Sequence, residues 1–97
     1  MKREYYDNCK LKCEYFECDG KKEGEYKQYF NDGQLEIICN YVDGKKYGEY
    51  KRYWDNGKLW YICNYFNGKK HGEHKEYYPD GDLDFICNYV NDKIEGQ

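Results

Sequence analysis

One unit of 24 residues recurs in register along this chain, and that periodicity narrows the possible folds more than composition does. The unit is clearest over 25–48, follows without a gap over 49–72 and 73–96, and in a worn form fills 1–24, so four copies account for all but Gln97. A gap-free repeat of this length is one supersecondary unit that cannot bury its own apolar face, so successive units must stack and share a core. The chain therefore reads as a single repeat domain over 1–97 with units 1–24, 25–48, 49–72 and 73–96.

Two short alternating runs fill each unit. In the second copy they are Glu25–Phe30 and Gln34–Val42, separated by Asn31-Asp32-Gly33. A three-residue hairpin loop is a type I turn followed by a left-handed residue, a place that glycine takes without steric penalty. Gly33, Gly57 and Gly81 stand there, and Pro79 opens the loop of the fourth copy, where its fixed φ suits a turn. Between copies, the links 43–48 and 67–72 carry glycines four apart, Gly44 with Gly48 and Gly68 with Gly72, which let the backbone reverse and re-enter a strand. The expected fold is all-β: an elongated, single antiparallel twisted sheet of about eight strands, one β-hairpin per 24-residue repeat. At about 4.8 Å per strand such a sheet is roughly 35–40 Å wide.

Alternation assigns the faces. Leu35, Ile37, Cys39 and Tyr41 share one face of the second strand, with Leu59, Tyr61, Cys63, Tyr65 and Leu83, Phe85, Cys87, Tyr89 as counterparts. Glu36, Ile38, Asn40 and Val42 share the other. Tyr26, Phe30, Tyr50, Trp54, Trp60, Phe66 and Tyr78 are expected on one aromatic face, which is the candidate binding surface because Tyr and Trp are enriched at interface hot spots. The plainer reading is that these rings only cover a thin sheet. A one-layer sheet cannot bury both faces alone, so a protein partner or a second copy, as in a homodimer, is expected as well.

The first unit departs from the pattern. Cys9 stands at the hairpin glycine position, where a side chain costs about 1 kcal/mol. Cys13 and Cys18 are also out of pattern, and the trio admits packing, a disulfide or intermolecular thiol, or a metal site. Its spacing lacks the paired cysteines of a structural zinc site, so no metal is assigned. Cys39, Cys63 and Cys87 fall on equivalent strands about 9–10 Å apart, too far for a disulfide, and read as small buried apolar groups. His71 takes the slot of Tyr47 and Glu23, and His74 that of Tyr26 and Tyr50, so neither is read as a ligand. The Glu-x-Lys pattern at Glu25/Lys27, Glu49/Lys51 and Glu73/Lys75 reads as a solvated stripe paired across strands.

Charge and composition remove several function classes. The net charge is −3 with both signs interleaved, and the Lys-Lys pairs at 21–22, 45–46 and 69–70 form no clustered basic face of the kind that holds nucleic acid. The chain has no Ser, Thr or Ala, which removes Ser and Thr nucleophiles and the Ser/Thr of a nucleotide-binding phosphate loop. Paired-carboxylate catalysis needs a cleft that an open sheet does not offer; no catalytic residue and no cofactor are assigned. No apolar run approaches a membrane span, and Met1–Tyr6 lacks the apolar stretch of a signal peptide. The expected location is the cytoplasm, a host's cytoplasm if the source is a virus, where cysteines stay reduced.

The pattern Tyr-x-x-Gly-Lys-Lys-x-Gly-Glu at Tyr41–Glu49 and Tyr65–Glu73, followed by Tyr-x-x-Asn/Asp-Gly at Tyr53–Gly57 and Tyr77–Gly81, resembles the MORN repeat, in the variant found in proteins labelled antitoxin-like. The resemblance implies an elongated twisted sheet with one hairpin per repeat, and roles in protein–protein contact, dimerisation and lipid-headgroup binding. Many members have Glu-Gly-x-Tyr in the second strand, where this chain has Ile38-Cys39-Asn40-Tyr41 and its counterparts. The leading expectation is a non-enzymatic repeat protein acting as a protein-interaction or self-association scaffold. The alternatives are an antitoxin-like protein that neutralises a neighbouring toxin, which rests on family labels, and a peripheral membrane or phosphoinositide-associated protein. The acidic balance argues against the last, since attraction to anionic lipid needs several clustered basic residues.

Overall fold

Alternating runs broken by Asn/Asp-Gly turns can satisfy their backbone groups only by pairing side by side, and the computed structural model, which describes residues 1–94, shows this sheet. The strands are β1 (Lys2–Tyr5), β2 (Leu11–Cys18), β3 (Lys21–Tyr29), β4 (Leu35–Val42), β5 (Lys45–Lys46), β6 (Gly48–Tyr53), β7 (Leu59–Phe66), β8 (Lys69–Lys70), β9 (Gly72–Tyr77), β10 (Leu83–Val90) and β11 (Lys93–Ile94). All belong to one antiparallel sheet of order β1-β2-β3-β4-β6-β7-β9-β10-β11, with β5 paired to β4 and β8 to β7. The molecule measures 45 × 36 × 14 Å, a single layer. The close of the fourth unit, Glu95 and Gly96, and Gln97 lie outside the described residues.

Eight of these strands are the expected hairpin arms; the other three, β5, β8 and β11, come from the links. Asp43 and Gly44 have φ of 54° and 82°, and Asn67 and Gly68 have 55° and 86°. Two successive positive φ values make the type I′ turn that matches strand twist. Each link therefore folds back as a small hairpin of its own, with Val42 opposite Lys45 and Phe66 opposite Lys69. The link then crosses to the next unit through Gly48 or Gly72, also at positive φ.

The hairpin loops have the expected geometry. Gly33, Gly57 and Gly81 have φ of 96°, 88° and 99°, and their N–H groups donate to Phe30, Trp54 and Tyr78 carbonyls at 2.9–3.0 Å. Cys9 adopts the same turn at φ 69°. Past each loop the register slips by one residue, between Gln28 and Tyr29 and between Arg52 and Tyr53. This bulge leaves Glu36 and Trp60 as extra residues and corrects the expected faces. Glu36 joins the side of Ile37, where its carboxylate meets Gln28 at 3.1 Å and Arg52 at 3.3 Å. Leu35 and Leu59 pass to the side of Ile38 and Ile62. Leu59 there lines a shallow depression with Ile62, Glu73, Lys75 and Tyr77. An inserted residue breaks the period of two, so alternation holds only on one side of it.

Candidate functional site

The two faces have different chemistry. The cysteine face carries Cys13, Ile37, Cys39, Tyr50 and Cys63 as the buried core, with Tyr26, Tyr41, Tyr61 and Tyr65 packed on it. Small thiols under the strand centres leave room for rings to lie over the backbone. Tyr15 stacks on Tyr26 at 5.6 Å, Tyr50 on Tyr61 at 5.8 Å, and Tyr61 on His74 at 5.6 Å. His74, buried in the slot of Tyr26 and Tyr50, also stacks on Phe85 at 5.8 Å. Lysines from the links close this layer from above. Lys22 Nζ lies 5.1, 5.0 and 5.3 Å from the ring centres of Tyr15, Tyr26 and Tyr41. Lys46 lies 4.8 and 5.1 Å over Tyr50 and Tyr65, and Lys70 lies 5.0 Å over Tyr89. Each contact is a cation over a π face, worth about 0.5–2 kcal/mol as desolvation increases. The second lysine of each Lys-Lys pair is thus a lid on the aromatic layer.

Burial in this layer sets its titration. Desolvation pushes the Cys39 thiol up to about 11, against the weaker pull of Lys46 and Lys22. The same cause raises the Cys63 thiol and the Tyr26, Tyr50 and Tyr65 phenols. These groups stay protonated at neutral pH and act as packing, in keeping with the reading of the periodic cysteines as small apolar groups. Cys87 at the sheet edge is half-buried. All six cysteines are free, with Cys9 and Cys18 exposed and Cys13 buried. Among the described residues no group of three or more His, Cys, Asp or Glu side chains is placed to hold a metal.

The seven aromatic residues expected to share one face separate into groups. Tyr26 and Tyr50 belong to the lidded layer. Trp54 and Trp60 stack at 4.2 Å beside the hairpin loops, with the Arg52 guanidinium 4.6 Å over Trp60. Trp54 Nε1 donates to the Tyr77 carbonyl of the next unit at 3.2 Å. Phe30 and Tyr78 occupy the position of Trp54 in their own units, half-buried and exposed respectively. Phe66 does not join them. It alternates with Tyr65, so it lies on the isoleucine side at the link edge, 59% exposed, with its ring 6.0 Å from Tyr47 and 6.4 Å from His71.

The isoleucine face carries the Glu-x-Lys stripe. Its ion pairs run along the strand, Lys27–Glu25, Lys51–Glu49 and Lys75–Glu73 at 3.3–3.4 Å, and not across strands as expected. Glutamate and lysine two apart on one strand share a face and meet directly. Among the described residues, apolar surface is exposed in three places. One is the link edge with Tyr47, Phe66 and His71. The second is the isoleucine face. The third is β10, where Leu83, Phe85 and Ile86 are exposed. Tyr47 at the link edge was not selected from the sequence, because its slot holds Glu23 and His71 in other units and so showed no pattern.

A search of curated proteins finds no match. The family model described as MORN repeat variant matches three consecutive segments, residues 22–43, 46–67 and 70–91. Residues 1–21 of the worn first unit lie outside these matches, although its β1–β2 hairpin and its turn at Cys9 keep the common geometry. Together the matched segments span more than half of the chain, and the chain belongs to the MORN repeat variant family.

Proposed function

We propose that this chain is a non-enzymatic, protein-binding repeat module. MORN repeats occur in scaffold-type proteins, which supports the reading at the family level. The observation that carries it for this chain is the division of its aromatic residues. One set packs on the cysteine face under lysine lids, while Tyr47 and Phe66 remain about half exposed along one edge. Rings that the fold does not need for its own core, held side by side on a rigid sheet, are the low-entropy contact area that interfaces use. Self-association is the other form of the same reading, and it is favoured at β10. The outer edge of that strand is paired, among the described residues, only with β11 at Tyr89 and Val90.

Light scattering after size exclusion, with and without reductant, separates the two forms. A monomer in both conditions assigns the exposed rings to a heterologous protein. A dimer in both conditions that is lost in Ile86→Lys assigns β10 to a second copy. A monomer that also shows no protein contact dependent on Tyr47 or Phe66 by cross-linking in its source cell refutes the module.

A further inference from the structure

Successive links enclose an open groove of about 410 Å3 between the second and third units, lined by Val42, Asp43, Lys45, Tyr47, Phe66 and Asn67. The equivalent position one unit earlier shows what this groove lacks. There the Glu23 carboxylate accepts the N–H of Asp43 at 2.9 Å. Lys21, whose stem runs across Gly44, pairs with the Asp43 carboxylate at 3.3 Å. In the groove between the second and third units Glu23 is replaced by Tyr47, and Asp43 by Asn67. Lys45 keeps the path of Lys21, with its stem across Gly68, but the residue in the place of Asp43 is the neutral Asn67. Among the described residues, neither Lys45 nor Lys46 forms an ion pair, and the N–H of Asn67 has no side-chain acceptor. The apolar lining grows in the same step, as Cys18 gives way to Val42 and Val42 to Phe66.

Resting on the protein-binding reading, we infer that this groove takes an acidic peptide segment of a partner protein. One carboxylate of the segment stands where Glu23 stands in the preceding unit, accepting the Asn67 N–H and pairing with Lys45. An adjacent apolar side chain packs between Tyr47 and Phe66, whose rings are 6.0 Å apart. A charge-assisted hydrogen bond to a backbone amide is the stronger kind, and Coulomb attraction adds to it where water is partly excluded. A membrane surface fits less well. The site is a concave groove with one uncommitted lysine, Lys45, since Lys46 lies over Tyr50 and Tyr65, on a chain of net charge −3, whereas anionic bilayers are held by clusters of basic residues.

The test is a nuclear magnetic resonance titration of the full chain with N-acetyl-Glu-Phe-Glu-amide at millimolar concentration, with N-acetyl-Lys-Phe-Lys-amide as control. The acidic probe is expected to shift the Asn67 amide and the Tyr47 and Phe66 ring signals, and the basic one to leave them. Lys45→Glu or Phe66→Ser, both at exposed positions, weakens binding about tenfold, the loss of one charge-assisted hydrogen bond or one packed ring. Tyr47→Glu restores the internal carboxylate of the preceding unit and blocks the probe while the remaining spectrum is unchanged. Shifts confined to β10 or the isoleucine face would overturn the groove while leaving a protein-binding module. Shifts equal for both probes, or none, overturn it outright. So would sedimentation with phosphatidylserine vesicles that depends on Lys45 while the peptide does not bind.

Discussion

Replacing Cys9 with glycine should stabilise this protein, although it removes a side chain and adds no contact. Cys9 sits at φ 69° in the turn where the other three units place glycine at φ 88–99°. Its N–H donates to Tyr6 at 2.9 Å as the glycine amides do to their partners, so the turn itself is intact. Left-handed backbone costs a residue with a Cβ about 1–2 kcal/mol. Glycine returns that energy but costs about 0.5–1 kcal/mol in extra chain entropy when unfolded. The thiol is exposed, so no packing is lost. The net gain is about 0.5–1 kcal/mol, or roughly 3–6 °C in Tm for a domain of this size. Thermal melts under reductant measure it, with Cys9→Ala as the control that keeps the strain and should leave Tm where it is. Gly57→Ala is the mirror experiment. A Cβ there meets only Gln34 Oε1 at 3.6 Å, so its loss of about 0.5–1 kcal/mol is purely conformational. A Tm for Cys9→Gly at or below wild type, or equal gains for glycine and alanine, would refute the turn argument.

Three further expectations concern the aromatic layer. His74 is buried with Nδ1 unpartnered while Nε2 meets Glu76 at 3.1 Å; His74→Tyr, matching Tyr26 and Tyr50, should raise stability by about 1 kcal/mol in urea titrations, and a loss would show that the slot is built for imidazole. Lys22→Met should cost about 1–2 kcal/mol and Lys70→Met about 0.5, because the first lysine covers three rings and the second one; equal losses would mean that the lids act by stem packing alone. Cys39 titrates near 11 in the folded state against an ordinary value of 9, so the unfolded chain loses its proton first. That contribution is whole below pH 9 and is lost as pH rises to 11, and the urea midpoint should fall across this window; a midpoint that holds steady there would contradict the burial.

The repeat period, the loop glycines and the cysteine rows were legible in the sequence because each follows from a local rule that recurs in at least three units. The bulge was not. Trp60 and Glu36 obey no alternation, since an inserted residue is defined by the partner strand and not by the strand that carries it. Aromatic character groups Phe66 with the other rings, whereas its phase, one residue past Tyr65, puts it on the isoleucine side. The lids have no local signature because each link lysine covers rings of the following unit, a relation between links and strands rather than within either. The Asp-Gly and Asn-Gly pairs of the links did carry the signal for type I′ hairpins, and only their closeness to the second glycine hid it.

The links also bear on how such a chain changes length. Gly44, Gly68 and Asp92 each donate their amide to the carbonyl of a lysine one unit back, Lys22, Lys46 and Lys70, at 2.9–3.0 Å. Every joint is therefore closed by the same backbone bond, whatever side chains line it. Excising 24 residues brings Gly24 against Glu49 and recreates a bond of the same kind, with lid over ring and glycine over lysine stem. Losing 23 would turn every following side chain to the opposite face. A gene for this sheet can thus shrink or grow in whole units with both faces kept, and the link edge lengthens or shortens by one joint each time.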